Sequence, residues 1–259
     1  MRIGPFDFRP RTLPTLVTLV LFPVLLSLGF WQLDRAQQKR DLIAQWQESK
    51  HEAPRPLAEV DKDGSSKKFF KVQAKGRYDR DHQFLLDNQV RDGRPGFQVL
   101  TPLKLAGRDK AVLVERGWLP MGKSRQDLPH PPTPEKAVRI QGFLADPPSV
   151  GIRLGPPDPG QGKWPKVVQY VKAGRIGKQL GYPVMGRVIR LAQGQPYGFR
   201  RHWSAPVHFG PQRHIGYAVQ WFALAAALVT IYLVVNTKRS KPRNAEPTHD
   251  QGRSGIPRQ

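Results

Sequence analysis

Two uncharged and mainly apolar stretches lie near opposite ends of the chain, Thr12 to Leu33 (22 residues) and Ile215 to Thr237 (23 residues). At a helical rise of 1.5 Å per residue, each reaches about 30 Å, the thickness of a bilayer's hydrocarbon, so the pattern predicts two transmembrane helices. After the first stretch, Asp34 to Glu48 is rich in helix formers, with Leu42, Ile43 and Trp46 at helical spacing, so the helix is expected to continue to about residue 50. Ala53-Pro54-Arg55-Pro56 ends it. From Phe69 the period changes. Short β-like runs follow at Phe69 to Tyr78, Gln83 to Arg91, Phe97 to Leu105, Ala111 to Leu119, Val138 to Leu144 and Val184 to Leu191. Asp92-Gly93 and Gly107-Arg108-Asp109 are hairpin punctuation between them. The proline-rich stretches Leu128 to Pro134 and Pro147 to Pro165 read as loops, and a short helix is expected between Lys166 and Leu180.

The predicted architecture is a membrane protein in which two terminal transmembrane α-helices flank one mostly antiparallel β (α+β) domain, a small barrel or sandwich. Its parts are an N-terminal arm (1–11), a first span (12–33), a domain (34–213, of which 34–50 extends the first helix), a second span (214–237) and a basic tail (238–259) expected to be disordered.

Charge sets the orientation. Arg2, Arg9 and Arg11 precede the first span and Arg35, Lys39 and Arg40 follow it, which is close to a tie. Lys238, Arg239, Lys241 and Arg243 follow the second span and break it, while a long loop translocates largely regardless of its charge. Both termini are therefore expected in the cytoplasm of a bacterial cell, with the main domain on the periplasmic side of a two-pass inner-membrane protein. A cleaved signal peptide is disfavoured: the first apolar core is too long, and Gly29-Phe30-Trp31-Gln32-Leu33 is no small-residue cleavage site.

The formal net charge is +22, and residues 34–213 hold 33 basic against 17 acidic residues, a surplus of 16. Such a surface beside a bilayer attracts membrane lipid, acidic partner proteins and anionic ligands. Nucleic acid is not expected on that side of the membrane. Cysteine is absent and methionine occurs three times, which excludes disulfides, thiol nucleophiles and zinc–cysteine sites and leaves no expectation of a copper or zinc centre.

Gly117-Trp118-Leu119-Pro120-Met121-Gly122-Lys123-Ser124 matches the phosphate-loop pattern formally. Its Trp118 and Met121 are bulky, Pro120 has no N–H, and no helix pattern follows, so it is read as scaffolding. Asp79, Asp81 and Asp87 are explained by turns and strand edges, and neither G-x-S-x-G nor H-E-x-x-H occurs. No catalytic residue is assigned, and no enzymatic reaction is expected.

The most pointed feature is the outer end of the second span. On a helix His214, Tyr217, Ala218 and Trp221 fall at i, i+3, i+4 and i+7 and share a face. Neutral imidazole suits haem iron, and Ala218 and Ala225 are small enough to leave room for a flat macrocycle. The same Tyr217 and Trp221 also fit an ordinary interfacial aromatic belt. Gln220, deeper in the span, is expected to hydrogen-bond another helix, of this chain or of a partner protein.

Five blocks resemble the surfeit-locus family of cytochrome c oxidase assembly factors: Gly29-Phe30-Trp31-Gln32-Leu33-Asp34-Arg35 with Lys39 and Leu42; Gly76-Arg77-Tyr78-Asp79 leading to Leu85-Leu86-Asp87-Asn88-Gln89; Gly96 to Leu103; Arg116-Gly117-Trp118-Leu119-Pro120; and His214 to Phe222. The resemblance implies an inner-membrane assembly factor of respiratory-chain biogenesis whose partner is the oxidase catalytic subunit. It also implies haem a as the cofactor bound or presented, His214 as the axial ligand, and Tyr217 and Trp221 as shapers of the site. Glu115 departs from the asparagine common in the fourth block. Gly76, Gly96 and Gly117 read as turn or close-approach positions. Arg94 and Arg116 are either partners for haem propionates or members of structural salt bridges. The alternatives are a protein-interaction scaffold for oxidase biogenesis that does not itself bind haem, and a membrane adaptor unrelated to respiration.

Overall fold

The computed structural model describes residues 2–3, 6–61, 67–122, 127–148, 163–205, 207 and 209–239. The tail from Ser240, most of the proline-rich loop at 147–165, and Lys123 and Ser124 of the phosphate-loop match lie outside these. In chain order the elements are β1 (Arg2–Ile3), β2 (Phe6–Phe8), α1 (Thr12–His51), β3 (Arg55–Pro56), α2 (Leu57–Val60), β4 (Phe70–Tyr78), β5 (Phe84–Arg91) and β6 (Arg94–Leu105). They continue with β7 (Ala111–Pro120), β8 (Val138–Ala145), β9 (Lys166–Val168), α3 (Ala173–Leu180), β10 (Val184–Leu191), α4 (Pro211–Asn236) and β11 (Thr237–Arg239). They form two compact units, one from residues 1–37 with 210–259 and one from residues 38–209.

The first unit pairs α1 with α4, the two helices that are long and apolar enough to cross a membrane. Pro14 sits in the first turn of α1, where its missing N–H costs nothing, and Ser27 Oγ donates to Pro23 O (2.7 Å). The small sheet β1-β2-β11 ties the chain's start to the segment after α4. Arg9 N–H donates to Asn236 O (2.8 Å) and Arg11 N–H to Asn236 Oδ1 (2.7 Å), so buried Asn236 is satisfied from both sides.

In the second unit the order β3-β4-β8-β10-β7-β6-β5-β9 carries an additional β4–β6 pairing, which closes β4, β8, β10, β7 and β6 into a five-stranded ring. Inside it Phe70, Val72, Leu103, Val112, Val114, Ile140 and Ile189 form the main core, to which α2 adds Leu57 and Val60. On the outer face Leu86, Leu100, Leu113 and Val188 pack against Val168 of β9 and Ile176 of α3. That second layer explains why β6 and β7 are buried on both faces. Trp46, near the end of α1, is buried against Phe69 (ring centroids 5.2 Å apart) and Phe143 (4.9 Å).

The sheet is mixed, so the expected mostly antiparallel character holds only in part. β7–β10, β3–β4 and β5–β9 run parallel. A parallel neighbour needs a long crossover, and β8, β9 and α3, which lie between β7 and β10 in the chain, supply it. The short helix expected between Lys166 and Leu180 is α3, and ahead of it Lys166–Val168 pairs with β5 as a strand.

The glycines at the seams act by close approach. A Cβ on Gly76 would stand 2.2 Å from Lys104 O, where β4 meets β6 to close the ring. One on Gly96 would meet Leu119 O at 2.3 Å, and Gly117 adopts φ +122° beneath the backbone of Phe199. Asp92 (φ 49°) and Gly93 (φ 72°) both adopt the positive φ that a two-residue hairpin turn requires.

Candidate functional site

His214 lies in the first turn of α4, which opens at Pro211 with Gly210 as its N-cap. Pro at the start of a helix gives up an N–H that has no partner there anyway, so the chain can turn sharply into the helix with the imidazole near its end. Across from it, on α1, stands Gln32, 9 % exposed, with Oε1 2.8 Å from His214 Nδ1. With the amide oxygen accepting, Nδ1 is the protonated nitrogen, and in the neutral ring Nε2 carries the lone pair. That is the tautomer in which a histidine ligates a metal through Nε2 while its other nitrogen is held by an acceptor.

The helices can come close enough because of Gly29. A Cβ there would lie 2.5 Å from Phe222 Cε1, so the α4 ring occupies the space a side chain would need. Phe222 also meets Phe30 edge to face at 5.3 Å. Gly29, Phe30 and Gln32 thus act together within one block of sequence.

The predicted site residues separate. Ala218 (1 % exposed) and Ala225 (2 %) are buried, so the space expected beside them for a flat macrocycle is filled. Tyr217 is 47 % exposed, off that buried line, and Trp221 is half-buried. The shared face predicted for all four residues therefore divides into a packed side, His214 and Ala218, and an open side at Tyr217. A helical wheel gives angles but cannot tell which 100° faces the neighbour. Gln220 is exposed on α4, and the buried amide that bonds another helix of this chain is Gln32. Its signal was present in the sequence as the only amide of the first stretch.

No group of three or more His, Asp or Glu side chains suited to a metal ion occurs among the described residues.

The arginine of the fourth block is a structural residue. Arg116 is fully buried between the rings of Tyr78 (5.3 Å) and Phe199 (4.9 Å). It donates to Tyr197 O (2.8 Å), Thr133 Oγ1 (3.0 Å) and Thr101 Oγ1 (3.2 Å), and to Pro132 O. These bonds lash the segments 131–133 and 197–199 to β7, and full burial keeps the guanidinium away from a propionate. Arg94 is exposed at the β5–β6 turn. Glu115, the departure from the family pattern, forms a buried ion pair with Arg190 (3.2 Å). Burial pushes its carboxyl above the usual range, although Arg190 opposes this.

A second titratable cluster joins the barrel to the turn between α3 and β10. Asp79 accepts from Tyr182 OH (2.6 Å), lies 2.9 Å from His82 Nδ1 and is 3.4 Å from Lys104 Nζ. Burial alone would raise its pKa, but these partners outweigh it and hold the carboxyl below its ordinary value.

The sequence pattern of the SURF1 family matches residues 19–226, from within the first apolar helix to within the second. A SURF1-like protein of Rickettsia conorii is 27% identical over 222 residues, covering 83% of this chain and 88% of that protein. A SURF1-like protein of Rickettsia felis is 34% identical over 105 residues, 40% of this chain and 45% of its relative. The Surfeit locus protein 1 of Arabidopsis thaliana is 22% identical over 271 residues, with 83% of this chain and 75% of that protein covered.

Proposed function

The chain belongs to the SURF1 family, and on that premise we propose that it is an assembly factor for haem–copper (cytochrome c) oxidase that binds or presents haem a for insertion into the catalytic subunit. The family is one of assembly factors rather than catalysts. In this reading the protein sits in the bacterial inner membrane, spans it with α1 and α4, keeps both termini in the cytoplasm and places the β domain in the periplasm. It works beside the nascent oxidase subunit and membrane lipid.

The observation that carries the haem assignment is the pairing of Gln32 with His214, which leaves Nε2 as the available ligand atom. Bound there, haem a would be cargo passed on to the oxidase. The chain's own residues hold the imidazole: Gln32 fixes its tautomer and orientation, Gly29 and Phe222 set the helix spacing, and Tyr217, on the open side, is the ring positioned to flank a macrocycle. Trp221 packs deeper along α4.

The experiment is to purify the protein from cells that make haem a and compare its spectrum with that of His214→Ala. The expected result is loss of haem from the variant with oxidase subunit binding retained. Equal haem content and unchanged bands in the variant would overturn the ligand assignment.

The same hydrogen bond supports one other reading, a scaffold that binds the oxidase subunit and no haem. There Gln32 and His214 serve as a polar clasp between helices, consistent with the filled space at Ala218 and Ala225. That reading expects a colourless protein and oxidase assembly that survives His214→Ala.

A further inference from the structure

The outer face of β4 carries Lys71, Gln73, Lys75 and Arg77 at alternate positions, and the register sets cations against cations. Lys75 is the direct cross-strand partner of Arg139 on β8, and Arg77 that of Lys104 on β6. Like charges directly opposite each other on antiparallel strands destabilise a sheet. Lys104 is offset by Asp79. The side chains of Lys75 and Arg139 are exposed and have no hydrogen bond or ion pair with a described residue.

Beside this pair is a cavity of about 270 Å³. It opens where β4 passes from its pairing with β3 to its pairing with β6, and its floor is apolar, formed by Leu57, Ala74 and Leu105. Its rim is cationic, formed by Lys75, Arg139 and Arg108. Arg108 is held in place by Asp61 (3.0 Å) and Ala58 O (3.2 Å), and Asp61 is further engaged by Lys110 (2.8 Å). Among the described residues no carboxylate forms an ion pair with Lys75 or Arg139.

We propose that this notch is a docking site for a short acidic and apolar segment of a partner protein, with an aliphatic side chain on the Leu57–Leu105 floor and carboxylates on Lys75 and Arg139. The small volume suits one side chain rather than a cofactor-sized ligand. The uncompensated cation pair supplies the charge complementarity, and a site kept at the expense of fold stability is what a binding surface entails. The proposal is independent of whether His214 binds haem.

The test uses the full chain in discs of zwitterionic lipid and, as probe, a fluorescent pentapeptide of alternating aspartate and leucine. Saturable binding is expected, absent for the asparagine analogue and weakened about tenfold or more by Arg139→Glu. The control Lys172→Glu, an equal charge change at an exposed position before α3, is expected to leave binding within about twofold. Arg139→Glu also removes the like-charge pair, so its Tm should hold or rise, which separates lost binding from lost folding. No binding by the parent chain, or equal weakening by both variants, would overturn the proposal. So would tight binding to phosphatidylglycerol vesicles that Arg139→Glu weakens while the peptide is unaffected, which would assign the notch to lipid.

Discussion

The Oε1 of Gln32 stands 2.8 Å from the Nδ1 of His214, joining α1 to α4 across 182 residues of sequence. An amide and an imidazole held in contact within apolar surroundings satisfy each other, and removing either leaves its partner's polar group unpaired. Gln32→Leu should therefore weaken the helix pair by about 1 kcal/mol. It should also lower haem affinity about 10- to 100-fold if Gln32 acts as the outer support of an iron ligand. Thermal unfolding in detergent reads the first effect and the visible spectrum of the purified protein the second; a spectrum unaffected by Gln32→Leu would count against a supporting role.

Gly76 tests ring closure. Its added methyl would press on the Lys104 carbonyl, a backbone atom that cannot rotate away, so Gly76→Ala should cost about 1–3 kcal/mol or separate β4 from β6. Denaturant unfolding of the variant beside Gly174→Ala, where a Cβ meets nothing within 4 Å, gives the comparison.

Arg116 is expected to be the most sensitive single position in the β domain. Arg116→Met leaves the carbonyls of Tyr197 and Pro132 and two threonine hydroxyls without their donor, and should cost about 3–5 kcal/mol. Arg116→Lys should recover only part of this, since an ammonium cannot reach all four acceptors in one plane. Retained stability in Arg116→Met would mean that these bonds add nothing net.

Asp79 gives the fold an acid limb. Its folded pKa lies below the ordinary 3.8, so its contribution is complete above that value and is lost as pH falls through the depressed one. Asp79→Asn should flatten the decline in stability below about pH 4 and lower stability at neutral pH. Chemical denaturation at a series of pH values measures both, and parallel acid limbs would rule Asp79 out as their source.

Much of this architecture was legible because local chemistry decided it. Asp92-Gly93 made the β5–β6 turn, and alternation marked β4 and β10 to within a residue of their ends. What was not legible depended on partners distant in sequence. Nothing in Val184–Leu191 says that it lies parallel to β7, and nothing in Lys166–Val168 distinguishes a three-residue edge strand from the start of a helix. The site divided in the same way. His214 stood out as a residue type at a position, whereas Gln32 became its partner only when α1 was laid against α4. Ala218 and Ala225 were read as empty space because a single helix shows its small residues and not the neighbour that fills them.

Asn236 has a consequence for experiments on either end of the chain. A backbone hydrogen bond cannot form through a bilayer, so the contacts of Arg9 and Arg11 with Asn236 put the polypeptide before α1 and the polypeptide after α4 on one side of any membrane these helices cross. A compartment-specific reporter fused at one terminus therefore reports for both. Cutting away residues 1–11 would expose the oxygens of Asn236 that now accept from Arg9 and Arg11, so the N-terminal arm works as a latch on the far end of the chain and not as a mere leader to the first helix.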